Sequence, residues 1–445
     1  MAAESQTTAN QSRRVVAASG VGNFVEWFDF VIYGFSATVL ATHFFPAGNR
    51  TTALMATLAV YGVAFFFRPL GGAFFGSIGD RIGRRNTLAI VILVMASATA
   101  AIGLLPSYNQ IGILAPTLLI IARLAQGFSA GGEFTGVATF VAEHVSANRR
   151  GLWVSGVSMF SLVGAGAAAL TILALATAFP DEYAAWAWRV PFLIGGLVAL
   201  VGLYLRLRLD ETPVFRDLKA RREVKQSPLR AAFRHYPGQL LLIFCVFAYT
   251  GLAAHSILGY LPIYLTETVG LPRRTALIAA GVALLVGAML GAAAGRISDS
   301  VGRKPVITVA ATLGVILTIP AFLVVDVGGG LTGALAGQLL LVGPYAMLAG
   351  VMMPAIMELF PAAVRYAGSA VGYNAAYMVF GGTAPLVGAA LVEWSGAHIA
   401  PAVYITAIAA IALVAILVAL PETREQPAAE RTSSGRLAAP ESDPA

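Results

Sequence analysis

The chain has 445 residues, of which 58% are hydrophobic and only 11% charged. A soluble protein of this length cannot cover its surface with so few charges, and a disordered one is not so apolar. The single cysteine, Cys245, excludes a disulfide framework and a cysteine metal site. The net charge of +7 does not call for nucleic acid, because the basic residues sit in short segments between long apolar stretches.

About 20 apolar residues cross a bilayer. Twelve such stretches are predicted, at roughly 18–42, 52–78, 87–106, 111–141, 152–179, 188–205, 238–266, 275–295, 305–325, 331–357, 367–392 and 400–420. The predicted fold class is an all-α membrane protein of twelve transmembrane helices. The first stretch is too long for the apolar region of a signal peptide, carries Glu26 and Asp29, and precedes no cleavage site, so it reads as a span. Of the 29 Lys and Arg, only Arg50, Arg189, Arg273 and Arg274 fall on the side opposite the termini, and Arg68 and Arg123 fall inside spans. The other 23 lie on the side of the termini, which predicts cytoplasmic termini and a multi-pass protein of the cytoplasmic membrane.

The predicted organisation is a polar tail over 1–14, a six-span half over 15–205, a basic loop over 206–236, a second six-span half over 237–420, and a disordered tail over 421–445 rich in Pro, Ala, Glu and Ser. The hydrophilic segments are too short for a catalytic or output domain. No nucleotide-binding loop, metal cluster or nucleophile–base set is present in the sequence. An enzyme or a sensor is therefore not the reading, and no cofactor is expected.

The sequence repeats itself. Gly76-Ser-Ile-Gly-Asp80-Arg81-Ile-Gly83-Arg84-Arg85 follows the second span, and Gly295-Arg-Ile-Ser-Asp299-Ser-Val-Gly302-Arg303-Lys304 follows the eighth, 219 residues later. Both fit G-x-x-x-D-x-x-G-R-[RK]. Glycines allow close helix approach and a tight turn, and the basic residues can pair with the aspartate or with helix C-terminal carbonyls. Two copies at equivalent places predict two pseudo-symmetric six-helix bundles with a gating motif in each.

An ionisable residue inside a span is costly and marks function by default. Glu26 and Asp29 lie three residues apart on one face of the first helix, and Tyr33 extends that face. Arg123, Gln126 and Glu133 share a face of the fourth helix. Arg68, near the end of its span on the side of the termini, is expected to snorkel. His255 reads as a satisfied core histidine with a proton site as the alternative.

Further segments carry a family resemblance. They are Gly22-Asn-Phe-Val-Glu26-Trp27-Phe28-Asp29-Phe30, Arg68-Pro69-Leu-Gly71-Gly72, Arg123-Leu-Ala-Gln126-Gly127-Phe-Ser-Ala-Gly131-Gly132-Glu133, and Leu209-Asp210-Glu211-Thr212-Pro213. With the twelve spans and the doubled motif, they resemble the metabolite:proton symporter family of the major facilitator superfamily. Gly132-Glu133-Phe134-Thr135-Gly136 followed by Phe140-Val141-Ala142-Glu143 resembles its proline/betaine branch. The resemblance implies the major facilitator fold and proton-coupled import of a small zwitterion or carboxylate, with an organic acid such as 2-oxoglutarate as the alternative substrate. A drug/proton antiporter would carry a Gly-Pro pair in the fifth span, and the stretch from Gly156 to Leu170 has no proline.

On that reading Glu26, Asp29 or Glu133 takes and releases the coupling proton. Arg123 binds a substrate carboxylate, helped by Tyr33 and Gln126, and Tyr260, Tyr373 and Asn374 line the cavity from the second half. Glu358 and Arg365 flank the loop between the tenth and eleventh spans as gate residues. The expected partners are a small-molecule substrate, protons and the lipid bilayer, with no nucleic acid and one chain as the working unit.

Overall fold

The structure is a computed structural model. It describes the backbone of residues 2–45, 49–82, 84–145, 149–207, 233–360 and 365–424, and within these the side chains of all but 2–18, 76–77, 79–82, 84–85, 132–140, 142–144, 205–206 and 365–367. Among the described residues eleven helices are long and apolar enough to cross a membrane, and a twelfth forms when two helices meeting at a 64° bend are taken as one span.

That bent span is α1, Ala2–Phe35 continued by Ala37–Phe44 across Ser36. The first half continues with α2 (Arg50–Ile82), α3 (Arg84–Leu104), α4 (Leu114–His144), α5 (Arg150–Ala178) and α6 (Val190–Leu207). The second half comprises α7 (Pro237–Thr268), α8 (Arg273–Val301), α9 (Arg303–Gly328), α10 (Gly330–Leu359), α11 and α12 (Ala400–Ala419). α11 runs as Arg365–Ala376, a π turn over Tyr377–Gly381, and Ala384–Ser395.

The stretches expected to be tails are described in part. The backbone is helical from Ala2, where Ala, Glu and Gln favour helix and no Gly or Pro occurs before Gly20. Residues 421–424, assigned to the disordered tail on composition, are tied to the protein: Glu422 accepts from the Arg303 backbone N–H, Thr423 donates to Glu358 and Arg424 to the Ser300 carbonyl. Residues 425–445 and most of the central loop, 208–232, lie outside the described residues.

Backbone-to-backbone helix contacts set the positions that matter. A Cβ at Gly71 would overlap the Phe128 carbonyl, one at Gly127 the Ala64 carbonyl, and one at Gly131 the Arg68 carbonyl. Small residues let membrane helices approach this closely. α2 and α4 therefore meet along three glycines, with Arg68 and Arg123 carried on the joined pair. α5 and α8 meet in the same way, because Gly295 leaves room for Ser155. α3, α6, α9 and α12 present exposed Leu93, Leu197, Ile316 and Ile411 outward. Such outward apolar side chains suit lipid rather than water.

The halves touch at both ends. At the end remote from the termini, Arg50 of α2 pairs with Glu267 of α7 at 2.9 Å, and Arg273 of α8 donates to the Phe35 carbonyl of α1 at 3.2 Å. At the end bearing the termini, Asp299 of α8 accepts the backbone N–H groups of Gly151 and Leu152 of α5, both at 2.8 Å. The described residues thus form an arrangement closed on both sides.

Candidate functional site

Between these closures lies a buried polar cluster midway along the helices. Arg123 is fully buried. Its Nη1 donates to Gln126 Oε1 at 2.9 Å, one turn along α4, and its Nη2 donates to the Tyr61 carbonyl at 3.4 Å. Gln126 Nε2 then donates to Asp29 Oδ2 at 2.5 Å and to Thr99 Oγ1 at 3.1 Å. The predicted polar faces of α1 and α4 therefore meet, with an amide as the joint. Asp29 Oδ1 has no hydrogen-bond partner among the described residues.

Arg68 departs from expectation. It does not snorkel but is buried, and its Nη2 donates to Glu26 Oε1 in a fully buried ion pair. The glycine contacts of α2 with α4 hold it inside the bundle, where an unpaired charge would be costly, and Glu26 supplies the counter-charge. Glu26 and Asp29 thus share a face of α1 but serve different partners. The third candidate, Glu133, has its side chain outside the described residues.

Aromatic rings surround both guanidinium groups. Arg123 Cζ lies 4.3 Å from the Tyr33 ring centre, 5.0 Å from that of Phe30 and 5.3 Å from that of Tyr61. Arg68 Cζ lies 5.1 Å from Phe65, 5.4 Å from Phe30 and 5.9 Å from Tyr377 of the second half. Ring faces attract cations in this way. Tyr33 offers only its face here, since its hydroxyl donates to the Thr57 carbonyl at 3.1 Å.

From the second half, Tyr373 packs at 4.3 Å between ring centres on Tyr377, and Asn374 approaches Gly72 of α2 with its Oδ1 unpartnered among the described residues. Tyr260 is not beside them; it is buried against Gly388 and Tyr264. His255 takes the place expected for such a ligand. It shares a 2.6 Å hydrogen bond with the hydroxyl of Tyr61 across the two halves and stacks on Trp27. Two π turns, Ser256–Tyr260 and Tyr377–Gly381, adjoin it, and such turns frequently mark functional sites. Tyr61 and Phe65 escaped the sequence reading, whereas Tyr377 is among the polar aromatics of the eleventh span that the sequence offers as cavity lining, and the cost of an arginine in a span signals Arg68.

The second copy of the repeated motif forms a network at the end bearing the termini. Arg303 donates to Asp299 at 2.9 Å, to Ser298 at 2.7 Å and to Glu358 of α10 at 3.2 Å, and Arg150 of α5 lies 3.6 Å from Glu358. Gly302 has φ +103°, which a side chain disfavours, and the Glu422 carboxylate occupies the space beside it. Glu422 accepts the backbone N–H groups of Arg303 at 2.8 Å and Lys304 at 3.1 Å. Gly295 is required by the close α5 contact. The first copy has Gly83 and the side chains of Gly76, Asp80, Arg81, Arg84 and Arg85 outside the described residues, as is the side chain of Arg365. Among the described residues no three His, Cys, Asp or Glu converge as metal ligands.

The sequence model of the Major Facilitator Superfamily matches residues 20–383. The chain is 36% identical over 432 residues to the glycine betaine/proline/ectoine/pipecolic acid transporter OusA of Dickeya dadantii, covering 93% of this chain and 84% of that one. It is 35% identical over 431 residues to the proline/betaine transporter of Escherichia coli K12, with the same coverage. Its fold is similar to the proton:xylose symporter XylE bound to a bromodeoxyglucose, with a TM-score of 0.76 at 18% identity over 94% of this chain and 97% of that one.

Proposed function

The chain belongs to the Major Facilitator Superfamily, and on that premise we propose that it imports proline, glycine betaine or a similar zwitterion together with a proton, by alternating access between its halves. One observation carries the choice of substrate. Arg123 is a buried cation whose described hydrogen-bond partners, Gln126 and the Tyr61 carbonyl, are both neutral. It therefore has a charge to offer a carboxylate, and guanidinium geometry suits a bidentate grip. A di- or tricarboxylate would call for a second cation, yet Arg68 is committed to Glu26. The surrounding rings suit the cationic end of a zwitterion.

Asp29 carries the proton. It is joined to Arg123 through Gln126 and keeps one oxygen without a partner among the described residues. Burial favours the neutral form of a carboxyl and a nearby cation favours the charged form, so substrate arriving at Arg123 changes the balance at its neighbour. With the termini cytoplasmic, the Asp299–Arg303–Glu358 network is the inner gate and Arg50–Glu267 part of the outer one. A single chain holds the whole pathway and acts as a monomer.

The test is uptake of radiolabelled glycine betaine and proline into proteoliposomes under an imposed proton gradient. Accumulation is expected to collapse with a protonophore. Accumulation that survives the protonophore would remove proton coupling, and the absence of uptake of either compound would remove the substrate assignment.

A further inference from the structure

His255 is buried, comes from the second half, and reaches the ring cluster of the first. Its ring centre is 4.6 Å from that of Phe65, 5.4 Å from Trp27, 5.6 Å from Tyr377 and 6.4 Å from Phe30. Behind it Gly381 leaves no spare room, since a Cβ there would stand 2.8 Å from His255 Cδ2. The imidazole is thus held in place by packing. Its Nδ1 meets the Tyr61 hydroxyl, while its Nε2 has no hydrogen-bond partner among the described residues.

The tautomer follows from counting orphaned groups. If Nδ1–H donated to Tyr61, the phenol O–H would have no acceptor among the described residues and Nε2 would be an empty acceptor, two buried polar groups left over. If the phenol donates to Nδ1, only one is left, an Nε2–H donor. The hydrogen bond made by one ring nitrogen sets the state of the other. Tyr61 therefore fixes His255 as a donor at Nε2.

Arg123 is bonded to the carbonyl of the same Tyr61, its Cζ 5.3 Å from that ring, and shares Phe30 as a neighbour with His255. The geometry points to a two-sided carboxylate site: one substrate oxygen on the Arg123 guanidinium of the first half, the other on His255 Nε2–H of the second, with Tyr61 as the positioning residue. The substrate carboxylate then becomes a strut between the halves. This rests on the zwitterion reading and adds the ligand by which the second half recognises the same carboxylate.

The experiment uses the purified full-length protein with glycine betaine and with choline, its alcohol analogue, which lacks the carboxylate. His255→Leu is expected to raise the Kd for betaine about tenfold or more while leaving that for choline unchanged. His255→Gln, which keeps an N–H donor, is expected to recover part of the loss. In protein labelled with 15N-histidine, the His255 Nε2 is expected to be protonated without ligand and to shift with betaine, and Tyr61→Phe is expected to give a mixture of tautomers. Betaine affinity unchanged in His255→Leu, equal loss for choline, no recovery in His255→Gln, or an unprotonated Nε2 in the unliganded protein overturns the proposal. Where His255→Leu does not fold, the glutamine variant and the spectra decide. If the unsubstituted protein binds no zwitterion, the substrate reading fails by itself, and the tautomer still tests the donor at Nε2.

Discussion

The two halves of this molecule share a fold and a repeated motif but not a chemistry. In the buried centre the first half supplies every described charge: Glu26, Asp29, Arg68 and Arg123. The second half supplies neutral groups, His255, Tyr373, Asn374 and Tyr377. The motif makes the divergence visible at one position. Eight residues before its first glycine stands Arg68 in α2 but Gly287 in α8, where any side chain would collide with Val342. The duplicated feature is the motif, which between α8 and α9 forms a tight turn with a charge lock. Charges in the centre are costly to bury and need be provided only once.

The comparison can be broken by substitution. Glu26→Gln strands Arg68 without its carboxylate, and a loss of about 3–5 kcal/mol of stability is expected from a buried pair so broken. Thermal unfolding in detergent measures it, and Glu26→Gln with Arg68→Met is expected to regain most of the loss. Arg123→Ala is expected to weaken betaine binding by about 100-fold, seen as a vanished ligand-induced rise in melting temperature. If Tyr373→Phe costs as much, the second half is not the neutral partner described above; its expected effect is about threefold or less in KM. Asp29→Asn is expected to abolish accumulation but to leave substrate exchange, measured by counterflow.

The motif end gives a smaller effect. Asp299→Asn weakens the caps on Gly151 and Leu152 and the pairing with Arg303, by about 1–3 kcal/mol. In a Cys245→Ala background, alkylation of Ser155→Cys, which faces Gly295, is expected to speed up as α5 and α8 part. An unchanged rate would show that the glycine contacts alone hold them.

Much of this was legible in the sequence, for physical reasons. Hydropathy reveals the spans because lipid demands an apolar stretch of every crossing helix, and the 219-residue repeat reveals the two bundles because each carries one copy. The Asp29–Gln126–Arg123 chain was visible because Arg123 and Gln126 are one turn apart on α4 and Asp29 is a charge with nowhere else to go. The Glu26–Arg68 pair joins residues 42 apart and the Tyr61–His255 bond residues 194 apart. No periodicity encodes such meetings; the glycines of α2 and α4 make the first, and the π turns of α7 and α11 lie beside the second. Composition also misjudged Pro421–Arg424, because a Pro-Glu-Thr run resembles a tail until Glu422 finds two backbone N–H groups.

The charge balance of the centre has an electrical consequence. Among the described residues of the centre two buried arginines face two buried carboxylates, so these four groups sum to zero with both carboxylates ionised. A zwitterion adds nothing to that sum and a proton adds one. On the proposed import of a zwitterion with one proton, each transport cycle moves a single positive charge through the membrane, and the voltage itself drives it, at about 2.3 kcal/mol per 100 mV. A carrier that works in this way is expected to concentrate its solute even where the two sides are at the same pH.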